Sequence, residues 1–192
     1  RENFLFTGLN ISQNESGEII LHQKDFNEKL DIQDYSAEHP EDYLEPDDNR
    51  LIRKTQGQLS WLSSQTRPDI SFDSFHLSTV LNKAKLRDAK ISNKTVKKVK
   101  QEEVTLNFKK LGKLEDLHLE VFSDASLGNI ETGVHTKSAM GYFICLTNRS
   151  LDISPLHWKS CVIEKVAEDI KTAETLAMEK AIDDSIHFSN LL

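Results

Sequence analysis

The first quarter of the chain alternates apolar and polar positions in two short runs and then becomes polar. Residues 4–11 and 18–23 have the alternation of β-strands. Residues 14–17 between them are typical of a hairpin turn, with Gly17 in the left-handed position. Residues 25–30 predict one short helix. Residues 35–48 hold two prolines among many acids, which predicts a loop or linker.

The middle of the chain has the apolar spacing of helices. Three helices are predicted there, over residues 51–66, 69–80 and 94–103, and the third is rich in lysine. Pro68 stands at the start of the second helix, where its missing N–H has no partner to lose. We expect Phe72 and Phe75 of that helix to turn inward. Residues 104–108 alternate like a strand.

The pattern changes after Gly112, where strands precede a long helix. The predicted strands cover residues 117–123, 138–146 and 154–160, and the helix runs from about residue 167 onward. A polar loop over residues 128–136 separates the first two strands. Three antiparallel strands followed by a helix suit an α+β fold or a mixed-sheet unit. The boundary between the helical part and this unit falls near residues 111–114.

Charge is divided unevenly along the 192 residues, although the formal net charge is only −7. Residues 18–48 hold eleven acids and two bases, whereas residues 83–113 hold eleven bases and three acids. A solvated surface would explain both blocks. The basic block also suits contacts with phosphates, because lysine pairs with a nucleic-acid backbone regardless of base sequence. The candidate nucleic-acid-binding residues are Lys94, Lys97, Lys98 and Lys100.

Two cysteines, Cys145 and Cys161, are too few for a disulfide framework and fit a reducing compartment. No apolar run has the roughly 18–20 residues that a membrane helix needs. We therefore expect an intracellular protein, in the cytoplasm or the nucleus, without membrane partners. His157 and Cys161 would lie about 13 Å apart along a strand, which is too far to share a zinc ion.

Two carboxylates carry the candidate chemistry. Asp124 ends an apolar strand, and Glu174 lies on a helix whose inward positions are otherwise apolar. A strand end and a packed helix can present two carboxylates to one hard cation, and Mg²⁺ often takes only one or two protein carboxylates. The same residues also have structural explanations. Asp124 can be a turn residue, and Glu174 can lie at the edge of the apolar stripe.

Several short motifs follow one another in an order that resembles a known family. They are FTGLNI at 6–11 with ILHQ at 20–23, TQGQLSWL at 55–62, TRPDISF at 66–72, VFSDAS at 121–126, MGYF at 140–143, WKS at 158–160 and AETLA at 173–177. This order resembles the Pol polyprotein of copia-type retrotransposons. The similarity covers the end of reverse transcriptase and the start of ribonuclease H.

The resemblance implies a function for each part of the chain. Residues 1–112 would be the end of the reverse transcriptase palm, the thumb and a connection, which form a helical region. Residues 113–192 would be the N-terminal half of a ribonuclease H-like domain. That family hydrolyses the RNA strand of RNA–DNA hybrids with four acids around two Mg²⁺ ions. Asp124 matches the first acid and Glu174 the second.

The same resemblance sets expectations that a structure can test. Both ends of the chain read as cuts through a longer polyprotein, so the remainder of Pol is an expected partner. With two of four acids, the chain alone is expected to bind nucleic acid weakly and to have no nuclease activity. We expect Asp124 and Glu174 to face each other within roughly 8 Å. We also expect residues 117–123 to expose an unpaired strand edge. The alternative is a decayed or domesticated, non-catalytic binding or structural module.

Overall fold

A computed structural model describes residues 3–131 and 136–192 and has an α+β fold, as predicted. The strands are β1 (Asn3–Phe6), β2 (Leu9–Gln13), β3 (Ile19–His22), β4 (Leu106–Phe108), β5 (His118–Glu131), β6 (Thr136–Thr147) and β7 (Ile153–Val162). The helices are α1 (Lys24–Glu28), α2 (Pro46–Gln65), α3 (Ser71–Val80), α4 (Leu86–Gln101) and α5 (Ile170–Ser189). No helix among these described residues is long and apolar enough to cross a membrane.

The strands form two sheets, and the chain divides into two compact units. One sheet has the order β1-β2-β3-β4 and the other β5-β6-β7. The first unit comprises the described residues of Arg1–Phe4, Ile11–Leu21 and Leu106–Leu192, and the second comprises Leu5–Asn10 and His22–Thr105. The main break therefore falls shortly before the predicted boundary at 112–113. The hairpin strands are divided between the units: Leu5–Asn10 groups with the helices, whereas Ile11–Leu21 groups with the later part of the chain.

The first predicted strand is in fact two strands. Thr7 and Gly8 both have positive φ angles, of 47° and 85°, and they separate β1 from β2. Two consecutive residues of this kind are typical of a tight hairpin turn. The predicted turn before β3 is confirmed, because Gly17 has a φ of 86° and its N–H donates to the carbonyl of Asn14.

The helical unit is built around one apolar core. Its fully buried members come from α2, the TRPDISF segment, α3 and α4, and they include Ile52, Leu59, Leu62, Ile70, Leu77, Val96 and Val99. The spacing of seven residues from Ile52 to Leu59 and three more to Leu62 keeps these side chains on one face of α2. This core accounts for the helical period in the sequence.

Two helices begin earlier than predicted. α2 starts at Pro46, inside the predicted loop, and its first turn carries Asp48, which accepts hydrogen bonds from the backbone N–H and hydroxyl of Ser36. α4 starts at Leu86 rather than residue 94, and the carboxylate of Asp88 caps it by accepting from the N–H of Lys85. Asp88 thus caps α4, whereas Asp48 ties the segment at Ser36 to the first turn of α2.

The TRPDISF segment begins a helix, as predicted, through a short 3₁₀ turn at Pro68–Ile70 that leads into α3. The expectation for Phe72 was wrong. Its side chain is 46% exposed and makes an edge contact with Phe75, while Ser74 and Leu77 take the buried positions of α3. A single helical face cannot bury positions 72, 74 and 77 together, and Leu77 decides which face turns inward.

In the other unit, α5 packs closely on the sheet β5-β6-β7. The predicted mixed sheet was wrong for the described residues, because both strand pairs are antiparallel. Ala173, Ala177 and Ala181 recur every fourth residue, and all three are completely buried. Small side chains at this spacing let the helix axis approach the sheet. β5 pairs only with β6 in the part of the chain that the structure describes, so the expected open edge is confirmed.

Candidate functional site

Asp124 lies within β5, opposite Gly141 of β6, and its side chain is exposed. The next residue, Ala125, is buried in one apolar cluster with Ala173 and Ala177 of α5. Successive side chains of a strand point to opposite faces of the sheet. Because Ala125 faces α5, Asp124 projects from the face that α5 does not cover.

Glu174 follows Ala173 on α5 and is half-buried. The flank of α5 that carries Leu176 and Lys180 lines a cavity of about 420 Å³ together with Cys161 of β7. At 100° per residue, Glu174 lies on the opposite flank, toward the open edge of β5. Asp124 and Glu174 thus each adjoin, along the chain, a member of the same apolar cluster: Ala125 and Ala173 respectively.

The expected arrangement of the pair therefore needs a correction. We expected Asp124 and Glu174 to face each other across the packed helix and sheet. Strand alternation instead places Asp124 on the uncovered face, while Glu174 belongs to the helix on the other face. The two carboxylates therefore belong to opposite faces of β5, and this arrangement counts against the shared ion that the resemblance implies.

The donor set suits one hard cation rather than two. Both residues offer carboxylate oxygens, which Mg²⁺ prefers, and Mg²⁺ keeps several waters when it binds one or two carboxylates. Among residues 3–131 and 136–192, no group of three or more His, Cys, Asp or Glu side chains is placed to hold a metal ion. Binding of Mg²⁺ by Asp124 and Glu174 remains a prediction.

A polar cluster on the inner face of α5 was missed by the sequence analysis. The hydroxyl of Tyr142 donates to Oδ2 of Asp184, and Lys180 donates to Oδ1 of Asp184 at 2.6 Å. The ring of His157 lies 5.8 Å from that of Tyr142 and 5.3 Å from that of Phe188. Asp184 follows the buried Ala181 by three residues, so the helical period already placed an acid on the inner face.

Burial and hydrogen bonding set the protonation states in this cluster. Burial raises the pKa of Tyr142, and its hydrogen bond to Asp184 raises it further. Burial lowers the pKa of His157 despite the negative charge of Asp184. Burial alone would raise the pKa of Asp184, but the hydrogen bonds from Lys180 and Tyr142 outweigh it and hold the pKa below its usual value. The cluster thus combines a neutral tyrosine and histidine with a Lys–Asp ion pair.

The structure separates the four candidate lysines of α4 into two kinds. Lys98 forms an ion pair with Asp69, at 3.3 Å from Oδ2. Lys100 donates to the backbone carbonyls of Glu28 and Leu30 at 2.9 and 2.7 Å. Both lysines therefore help to hold the helical unit together.

Lys94 and Lys97 are exposed, and within the described residues neither has a hydrogen-bond or ion-pair partner. Lys90 was not among the candidates, yet it is exposed too and lies four residues before Lys94. Positions 90, 94 and 97 share one face of a helix. The free basic surface of α4 is therefore Lys90, Lys94 and Lys97, rather than the four residues that the lysine count suggested.

Arg67 of the TRPDISF segment is a fully buried cation. Its guanidinium donates to Asp69 at 2.8 Å through both Nε and Nη2, and Nη1 donates to the carbonyls of Val99 and Glu102 at 3.2 and 3.0 Å. These contacts join the start of α3 to the end of α4. The TRPDISF motif thus has a structural role in this chain, because its Arg67 links α3 to α4.

Comparison with known protein families found no family model that matches the chain, and no curated protein matched it. The function has to be inferred from the chain's own residues. Two features offer chemistry: the carboxylates of Asp124 on β5 and Glu174 on α5, and the free lysines of α4.

Proposed function

We propose that the chain is part of a retrotransposon reverse transcriptase–ribonuclease H polyprotein, whose parent hydrolyses the RNA strand of RNA–DNA hybrids by two-metal catalysis. The order of the motifs along the sequence is the support. This order carries the proposal. The placement of the two acids does not add to it, because Asp124 projects from the sheet face that α5 leaves uncovered, whereas Glu174 belongs to α5.

The architecture around the acids agrees with this proposal. Three antiparallel strands precede a long helix that packs on them through small residues. In a ribonuclease H-like domain the strand with the first acid pairs with a further strand, and here β5 has its second edge open among the described residues. We infer that this unit is the N-terminal half of such a domain.

Asp124 and Glu174 would hold Mg²⁺ through their carboxylate oxygens, and their side chains would orient the ion at the strand edge. The bound metal would supply an activated water and stabilise the leaving oxygen. Two-metal catalysis requires two ions about 3.5–4 Å apart. Two carboxylates are too few to hold both, so we propose that this chain alone does not cleave.

The second candidate is a decayed or domesticated module that keeps the fold and has lost the chemistry. One observation favours it. In the TRPDISF motif the buried Arg67 and the partly exposed Asp69 tie the start of α3 to the end of α4, and such a clamp would persist after catalysis was lost. The lysines of α4 would then serve binding or assembly alone.

A cleavage assay separates the two candidates. Labelled RNA–DNA hybrid is incubated with Mg²⁺ and the polyprotein that contains this chain, as wild type, Asp124→Asn, Glu174→Gln and Glu168→Gln. Glu168 is exposed and precedes α5, so its variant controls for the loss of one negative charge. The ribonuclease H proposal predicts cleavage that the first two variants abolish and the third retains. Absence of cleavage, or cleavage that survives Asp124→Asn, would favour the non-catalytic module.

A further inference from the structure

The acidic and basic blocks of the sequence meet inside the helical unit. The carboxylate of Glu41 accepts from Nζ of Lys85 at 2.7 Å and from Nη1 of Arg87 at 3.0 Å. The carboxylate bridges both cations and yet the Glu41 side chain is 62% exposed. Neither block is therefore simply solvated at this point.

The backbone fixes the segment that carries Glu41. The N–H groups of Leu86 and Arg87 donate to the carbonyls of Asp42 and Pro40, at 3.0 and 2.9 Å. Two residues further, the N–H of Leu44 donates to the carbonyl of Ala84 at 3.0 Å. The Glu41 carboxylate is thus held against the first basic residues of α4 by main-chain contacts on both sides of it.

Arg87 begins a row of cations along α4. Residues 87, 90, 94 and 97 fall within one side of the helix at 100° per residue, and they span about 15 Å along its axis. One strand of a duplex carries about four phosphates over that length. The only acid within α4 is Asp88, which is buried and caps the helix. The exposed surface of α4 therefore carries no acid, although Ile91 is also 40% exposed there.

Lys90, Lys94 and Lys97 are free among the described residues, whereas Lys85 and Arg87 are occupied by Glu41. A carboxylate that accepts from two cations offers them the same kind of oxygen contacts that a phosphodiester would. Glu41 and a polyanion cannot use these donors fully at the same time. The contact with Glu41 thus opposes binding at one end of the row.

We propose that the face of α4 formed by Arg87, Lys90, Lys94 and Lys97, with Lys85, is a polyanion-binding surface that Glu41 partly closes. That the polyanion is a nucleic acid rests on the proposed function. The closure itself rests only on the ion pairs of Glu41. Releasing Glu41 adds two cations to the surface, and each phosphate contact contributes about 0.9 to the slope of log affinity against log salt.

The test compares Glu41→Gln with Glu38→Gln in the full chain. Both variants lose one negative charge from the same segment, but Glu38 is exposed and has no ion-pair partner among the described residues. Binding is measured by fluorescence anisotropy at several salt concentrations, with a heparin oligosaccharide and with an RNA–DNA hybrid. We expect Glu41→Gln to bind at least threefold more tightly than Glu38→Gln, with a salt slope steeper by one to two.

Adding Arg87→Ala to Glu41→Gln should remove most of the gain, because Arg87 is one of the two cations released. Equal affinity of Glu41→Gln and Glu38→Gln for heparin would overturn the proposal, and so would an absence of heparin binding in every variant. Heparin binding that follows the expected order without any hybrid binding would support the closure by Glu41 and count against the nucleic-acid function instead.

Discussion

Asp69 accepts two parallel hydrogen bonds of 2.8 Å from the guanidinium of Arg67, which is itself completely buried. Lys98 adds a third cationic contact to the same carboxylate. A buried arginine is tolerated only when its charge and its N–H groups are satisfied. Asp69 and the carbonyls of Val99 and Glu102 meet this requirement, so the Arg67–Asp69 pair is the electrostatic centre of the helical unit.

Asp69→Asn should destabilise the chain strongly, because it leaves the buried Arg67 without its counter-charge. Because the Asp69 side chain is itself partly exposed, the expected cost is that of losing hydrogen bonds to a charged group, about 1.5–3 kcal/mol. The free energy of unfolding is measured by urea denaturation followed by circular dichroism. Asp73→Asn is the matched control, since among the described residues Asp73 accepts a single long contact of 3.4 Å, from Thr95. Equal losses in the two variants would contradict the role of the pair.

The same pair should make stability depend on acidity. Burial alone would raise the pKa of Asp69, but the hydrogen bonds and charge of Arg67, with Lys98, hold it below the ordinary value of 3.8. A carboxyl with a depressed folded-state pKa stabilises the fold above its unfolded pKa, and that stability is lost as the pH falls through the lower value. The free energy of unfolding of the wild type should therefore fall toward that of Asp69→Asn below about pH 4. An unfolding free-energy difference that stays constant from pH 6 to pH 2 would refute this.

Tyr142→Phe tests the cluster under α5. The change removes the hydroxyl that donates to Asp184 and leaves that carboxylate with Lys180 alone. Hydrogen bonds to charged groups contribute about 1.5–3 kcal/mol, so a loss of this size is expected in thermal or urea unfolding. Tyr43→Phe serves as the control because Tyr43 is mostly exposed, and it should change stability by less than about 0.5 kcal/mol.

The two kinds of lysine in α4 should behave differently when they are changed to alanine. The pair Lys94→Ala and Lys97→Ala should leave stability unchanged and lower the salt slope of duplex binding by about two. The effect should be the same for any sequence, since phosphate contacts carry no sequence information. The pair Lys98→Ala and Lys100→Ala should instead lower the free energy of unfolding, because these side chains hold Asp69 and the carbonyls of Glu28 and Leu30. The reverse pattern would show that the free surface lies elsewhere.

Periodicity predicted the existence of most helices and strands but not all of their limits. The early start of α4 escaped notice because its inward positions there include Ala89 and Ser92, which are too small or polar to register as an apolar stripe. The break between β1 and β2 depends on a positive φ at Thr7. Threonine rarely adopts this conformation, so the sequence did not predict the break.

The sequence nominates Asp124 and Glu174 as candidate site residues, but it does not predict how they are placed relative to each other. Asp124 was expected to end a strand, yet β5 continues to Glu131, and the polar residues after position 124 fit an exposed edge strand. The face that Asp124 occupies follows from the packing of Ala125 against α5. That packing is a tertiary contact, which local sequence does not determine. Arg67 and Glu41 likewise contact distant parts of the chain. The sequence shows that these residues are charged, but it does not show which partners they contact.

The joint binding of a divalent cation by Asp124 and Glu174 is the most direct test of the ribonuclease H proposal. Mn²⁺, a paramagnetic substitute for Mg²⁺, is titrated into ¹⁵N-labelled chain, and the broadening of amide signals is mapped. We predict weak binding with broadening centred on residues near 124 of β5 and 174 of α5. Asp124→Asn and Glu174→Gln should each abolish it, while Glu168→Gln should retain it. Broadening centred elsewhere, or unchanged by either variant, would contradict the proposal.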